Sequence, residues 1–180
     1  MNLTKLVTIV LSTIVSLSLS SAEPIKIGSV EMADDVKSQA FEKVRKKLGK
    51  WKGTMVQGID GNVIDVSYEF ALTSGGNTIT ETLIEDGVQM LTTYSDDNGQ
   101  LVVKHYCGLG TEPVFMVDQM SDNVFSIKLD KFKSDLHAEH ESFVTNMKWT
   151  TNSNDSLTFE NIVMLDGKPT RNKAELERVY

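Results

Sequence analysis

From Val63 to Ala71 the chain alternates, with Ile64, Val66, Tyr68 and Phe70 on one parity and Asp65, Ser67 and Glu69 on the other. A period of two marks a β-strand with one buried face. The same period runs from Gly49 to Tyr180, broken every eight to twelve residues by turn sequences such as Glu85-Asp-Gly87, Asp96-Asp-Asn-Gly99 and Asp166-Gly167. Asn-Gly and Asp-Gly supply the positive φ angles that tight hairpins need. The pattern predicts ten strands, at 51–58, 62–71, 77–84, 87–95, 100–107, 112–120, 123–132, 141–151, 156–165 and 168–179.

Before Gly49 the period is different. Val36, Ala40, Phe41, Val44 and Leu48 recur at three- and four-residue intervals, acidic residues come first and Arg45, Lys46 and Lys47 last. That order fits an amphipathic helix aligned with its dipole, expected over 31–47. Consecutive hairpins make a meander. An open meander of ten strands leaves two edges exposed to pairing, and closure removes both. The expected fold is therefore all-β: an up-and-down antiparallel β-barrel with one capping helix, in a single domain over 31–180. A two-layer sandwich is the alternative.

Composition changes the picture at the N-terminus. Lys5, the apolar stretch Leu6–Leu19 and the small residues Ser20-Ser21-Ala22 have the layout of a secretory signal peptide, with cleavage before Glu23. An extended leader is expected at 23–30. The apolar run is too short and too rich in Ser and Thr to anchor well in a membrane. The remaining chain is expected to be periplasmic or secreted, with no transmembrane segment. The full chain carries 18 basic and 25 acidic residues, and removal of Lys5 moves the net charge from −7 to −8. Nothing in that balance would neutralise nucleic-acid phosphates. Cys107 is the only cysteine, so no internal disulfide can form.

Several motifs point to a family. Gly49-Lys-Trp51-Lys-Gly53 has the Gly-x-Trp-x-Gly arrangement that opens the first strand of lipocalin-like barrels. It is followed by Ser74-Gly-Gly76 with Glu81-Thr82, Met90-x-Thr92-x-Tyr94, His105-Tyr-Cys107 and Gly110-x-x-Pro113. Over roughly residues 40 to 180 the chain resembles calycin-like secreted bacterial proteins catalogued mostly as a domain of unknown function. In architecture these are similar to nitrobindins and fatty-acid-binding proteins. The resemblance implies that Trp51 plugs the closed end of the barrel and that Gly53 lets the backbone curl tightly. The chain departs from the pattern at Thr111, Val114 and Phe115, where Asn, Arg and Met are usual, and at Asn161, where an aromatic is usual. Nitrobindin-like barrels hold haem through a histidine near the C-terminus. No histidine follows His140 here, which leaves His105 as the one candidate for haem; otherwise no cofactor is expected.

Parity assigns the interior. Lys104 facing water turns Leu101, Val103, His105 and Cys107 inward, and the same argument turns in Ile79, Glu81 and Leu83, then Met90, Thr92 and Tyr94. In 141–151 it turns in Phe143, Thr145, Met147 and Trp149, and in 156–165 it turns in Asn161 among apolar neighbours. The predicted interior is thus apolar with a few polar groups. Glu81, Met90, Thr92, Tyr94, His105, Thr145 and Asn161 are the candidate ligand-binding residues, and Trp51, Gly53 and Cys107 the structural ones. A Glu81–Tyr94–His105 cluster across three neighbouring strands can be read as a register-fixing network, as a ligand-orienting group or as an acid–base pair.

Cys107 and His105 share a face, but two residues along a strand their Cβ atoms stand roughly 7 Å apart, long for a nucleophile pair. Tyr106 faces the other way. In His137-Ala-Glu-His140-Glu141 there is no third spaced ligand and no zinc-protease spacing, so the segment reads as a solvated acidic loop and no metal is expected. The leading functional expectation is a barrel that binds a small apolar or amphipathic molecule. An isomerase- or hydrolase-type enzyme using Glu81 and His105, and a pocketless barrel that binds partners through its acidic face or strand 112–120, are the alternatives.

Overall fold

The computed structural model describes residues 26–31 and 36–180. The expected signal peptide, residues 23–25 of the leader and the first turn of the expected helix lie outside the described residues. The chain divides at Asp34 into two units. In the first, strands β1 (Lys26–Ile27) and β2 (Val30–Glu31) pair antiparallel across Gly28, whose φ is 60°.

The second unit begins with helix α1 (Gln39–Arg45), shorter than its periodicity predicts. The Ser38 hydroxyl accepts from the Phe41 N–H at 3.2 Å and caps the helix, which fixes its start. Val36, expected on the buried stripe, is 94% exposed and lies before that cap. The Ser38 N–H in turn donates to Asp96 Oδ2 at 2.7 Å, tying the cap to the barrel. Phe41 and Val44 are the buried face, packed toward the sheet.

Ten strands follow: β3 (Gly49–Val56), β4 (Val63–Thr73), β5 (Thr78–Glu85), β6 (Val88–Asp97), β7 (Gln100–Tyr106), β8 (Val114–Met120), β9 (Val124–Leu129), β10 (Phe143–Ser153), β11 (Ser156–Leu165) and β12 (Lys168–Val179). Each pairs antiparallel with the next, and β12 returns to β3, so the sheet closes into the expected up-and-down barrel. Asp86-Gly87, Asn98-Gly99 and Asp166-Gly167 have positive φ at both residues, the conformation that two-residue hairpins favour. Antiparallel order sends the β4–β5, β6–β7, β8–β9 and β10–β11 turns to the end where α1 enters. The other five connections, including the long loop 130–142, gather at the opposite mouth.

The capped half is filled by aromatics. Trp149 lies 5.2 Å from Phe159, 5.9 Å from Phe125 and 6.2 Å from Tyr94 between ring centroids, and Tyr68 packs on Phe159 at 5.3 Å. Trp51 is buried there, its Nε1–H donating to the Lys47 carbonyl at 2.8 Å and the Arg178 guanidinium lying 4.1 Å from its ring centroid. Gly53 serves close approach: a Cβ at that position would come within 1.8 Å of the Glu175 carbonyl oxygen on β12.

Two irregularities shape the mouth. Between β7 and β8 only Val103–Phe115 and Lys104–Val114 are paired in register. Pro113 has no N–H to give, and the chain continues through single bonds from His105 N–H to the Pro113 carbonyl and from Cys107 N–H to the Thr111 carbonyl. In β10 the register slips between Val144 and Asn146. Strict alternation puts Thr145 inside; at this bulge it is Val144 that is buried, and the Thr145 hydroxyl donates to the Ile162 carbonyl at 3.1 Å.

Candidate ligand site at the open mouth

The barrel has a concavity at each end. At the capped end a groove of about 680 Å³ runs between α1 and the turn ends of β9, β10 and β12, past Lys43, Lys46, Trp51, Asp122, Asp155 and Arg178. Trp51 and Phe125 are among its lining residues, so it lies against the packed end of the barrel. At the mouth a cavity of about 350 Å³ enters the barrel itself. Its apolar walls come from Leu83, Met90, Val144, Met147, Phe159 and Val163. Its polar lining includes Glu85, His105 and Asn161. Apolar walls with a few directed polar groups are the ordinary make-up of a small-molecule site, and the volume lies at the small end of that range.

The residues expected to form one site divide between this cavity and the packed half. Met90, His105 and Asn161 line the cavity, and so does Cys107, expected as a structural residue. Glu81, Thr92 and Tyr94 are fully enclosed and do not reach the wall, and Thr145 is withdrawn at the bulge. The expected Glu81–Tyr94–His105 cluster is two pairs. The Tyr94 hydroxyl donates to Glu81 Oε2 at 2.6 Å, and Thr92 Oγ1 lies 2.9 Å from His105 Nδ1. The pairs are joined by register, because Glu81, Thr92 and His105 stand opposite one another on β5, β6 and β7.

His105 has less than one-fiftieth of its surface exposed, and burial lowers its pKa to about 4. At neutral pH it is therefore an uncharged imidazole. One nitrogen is held by Thr92, and Nε2 has no hydrogen-bond partner among the described residues. Glu85 stands nearer the rim, its Oε1 accepting from the Tyr68 hydroxyl at 2.8 Å while Oε2 has no such partner. Burial raises its pKa, and the Tyr68 bond holds that rise back. Asn161 Oδ1 accepts from the Asn172 amide at 2.9 Å. Burial pushes the Cys107 thiol up as well, which keeps it protonated and weakly nucleophilic.

Behind the cavity floor lies a second polar set. Burial raises Glu81 to about 7, against the opposing effects of Tyr94, Thr92 and Lys47. Thr92 also favours the carboxylate, while its hydroxyl lies 2.9 Å from His105 Nδ1, and Glu81 Oε1 has no partner among the described residues. Lys47, one of the basic residues expected at the end of the helix, is buried. Its Nζ donates to the Lys43 carbonyl at 3.1 Å and stands 5.0 Å over the Phe125 ring, and burial lowers it to about 8. The Trp149 Nε1–H also has no partner among the described residues.

Glu85 and Met147 extend the cavity lining beyond the expected residues. Glu85 shares the parity of Glu81 and Leu83 on β5, a signal hidden by the turn sequence it begins. His137 and His140 stand in the loop with ring centroids 5.8 Å apart, His137 Nε2 lying 3.2 Å from Asp135 Oδ1. Among the described residues no group of three or more His, Cys, Asp or Glu side chains is placed to hold a metal. No helix among them is long and apolar enough to cross a membrane.

No protein-family model and no curated protein sequence matches the chain. The fold is similar to that of a protein of unknown function of the DUF3598 family from Nostoc punctiforme, with a TM-score of 0.56 and 10% identity over 76% of this chain. The likeness spans 49% of that protein. A looser likeness, TM-score 0.35 and 12% identity, is to a de novo designed fluorescence-activating β-barrel, covering 76% of this chain and 96% of the design. At 10% identity the likeness to the DUF3598 protein speaks to fold alone, and the site rests on its own geometry.

Proposed function

We propose that the protein is an exported, calycin-like binding barrel that takes up a small apolar or amphipathic molecule through its open mouth. The observation that carries this reading is the cavity of about 350 Å³ that passes Met90 and Met147 and meets the buried, uncharged His105, whose Nε2 is free. An imidazole nitrogen that faces the cavity with no partner among the described residues is a polar group that a bound molecule, or water, can hydrogen-bond. The acid–base alternative draws less support. Glu81 is sealed behind the floor, so no substrate can lie between it and His105.

The test is titration of the protein with N-phenyl-1-naphthylamine, an uncharged probe that brightens in apolar surroundings. Saturable one-to-one binding is expected, weakened about tenfold or more by Leu165→Trp, which puts an indole at the half-buried rim of the cavity. Equal binding by wild type and a folded Leu165→Trp variant would remove the mouth from consideration.

A further inference from the structure

The charge around the cavity is one-sided. Glu85 and Asp86 line it, and among the described residues no lysine or arginine does. His105 supplies no positive charge at neutral pH, because burial keeps the imidazole uncharged. A fatty acid entering tail-first would leave its carboxylate beside Glu85, and one entering head-first would bring it to the neutral His105, with no cation among the described lining residues at either end. Like charges in a partly desolvated site repel strongly, and opposite charges attract by the same factor. Glu85 is also prepared for a partner. The Tyr68 hydroxyl fixes Oε1 at 2.8 Å, Tyr68 itself being 1% exposed, and Oε2 remains open. The walls deeper in, Met90, Val144, Met147 and Val163, accept an apolar body. His105, at the inner end of the cavity and neutral, supplies no cation there for an acid headgroup.

We infer that the ligand is an amine: an apolar body carrying an ammonium group that pairs with Glu85 at the rim, and not a fatty acid or other carboxylate. This deepens the binding reading above and rests on it. The architectural likeness to fatty-acid-binding proteins therefore does not extend to the headgroup. An ammonium offers three N–H donors and one positive charge to a site that holds acceptors and negative charge.

Octylamine, octanol and octanoate share one apolar body and differ in the headgroup. Each is used below its micelle concentration, at neutral pH, to displace N-phenyl-1-naphthylamine. Octylamine is expected to bind about tenfold or more tighter than octanol, with octanoate weakest. Glu85→Gln keeps an acceptor for Tyr68 and removes the charge. It should bring octylamine down to the level of octanol and leave octanol unchanged. Asp65→Asn, an exposed carboxylate near the mouth that does not line the cavity, should leave the preference for octylamine unchanged. Octanoate binding as tightly as octylamine, or a preference for octylamine that survives Glu85→Gln, would overturn the inference. If the probe itself does not bind, the binding reading fails first, and that result is separate from a wrong order among headgroups.

Discussion

Replacing Glu81 by Gln tests the buried floor, because it removes one charge and keeps the shape. The carboxyl is fully buried and its pKa is raised from 4.5 to about 7. In the unfolded chain it releases its proton near 4.5; in the barrel it holds on to it. Stability from this group is thus fully present below pH 4.5 and is lost as pH rises through 7. The shift corresponds to about 3 kcal/mol. That is an upper figure, since Gln also withdraws the attraction that favours the Lys47 ammonium. His105 has the opposite sign. Its pKa falls from 6.5 to about 4, so its contribution is present above 6.5 and is lost as pH falls through 4. In the wild type the two slopes oppose each other between pH 4.5 and 6.5. The difference in unfolding free energy, Glu81→Gln minus wild type, isolates the carboxyl. Measured by urea denaturation across pH, it should be flat below 4.5, climb in favour of the variant, and level off above 7. A difference independent of pH over this range would refute the reasoning. So would one that turns against the variant as pH rises, because that is the behaviour of a carboxylate stabilised by its surroundings.

Two further expectations concern the frame and the mouth. Gly53→Ala forces a Cβ to within 1.8 Å of the Glu175 carbonyl, a backbone atom that cannot step aside. The β3–β12 seam must open, at a cost of about 2 kcal/mol or more, which a urea midpoint shift at unchanged m-value would register. Cys107, half-buried on the cavity wall with its pKa raised, should react slowly with a thiol-directed disulfide reagent in the native state, and more slowly still with octylamine bound. Labelling as fast as in urea would show that the thiol is open to solvent.

Much of the architecture is legible along the chain because strands and hairpin turns are written locally. The two-residue period of β4, β5 and β6 comes from each strand having one wet and one dry face. The Asp-Gly and Asn-Gly pairs state the turn conformation outright. Closure is the arrangement that removes both edges of the meander. Parity also identifies Met90, His105 and Asn161 as inward-facing, and they line the cavity. What parity cannot express is depth along the barrel axis. Glu81 and Glu85 have the same parity on one strand, yet the first is sealed behind the floor and the second stands at the rim. The division between them is made by the aromatic side chains of Trp149, Phe159, Tyr68 and Tyr94, which arrive from four different strands and fill one half of the interior. Nor does alternation foresee the bulge that withdraws Thr145, or the burial of Lys47 beneath the end of a helix whose basic residues look solvated. Side-chain direction is set by the local backbone period. Whether an inward side chain meets packing or empty space depends on residues distant in sequence, and it takes the closed barrel to bring them together.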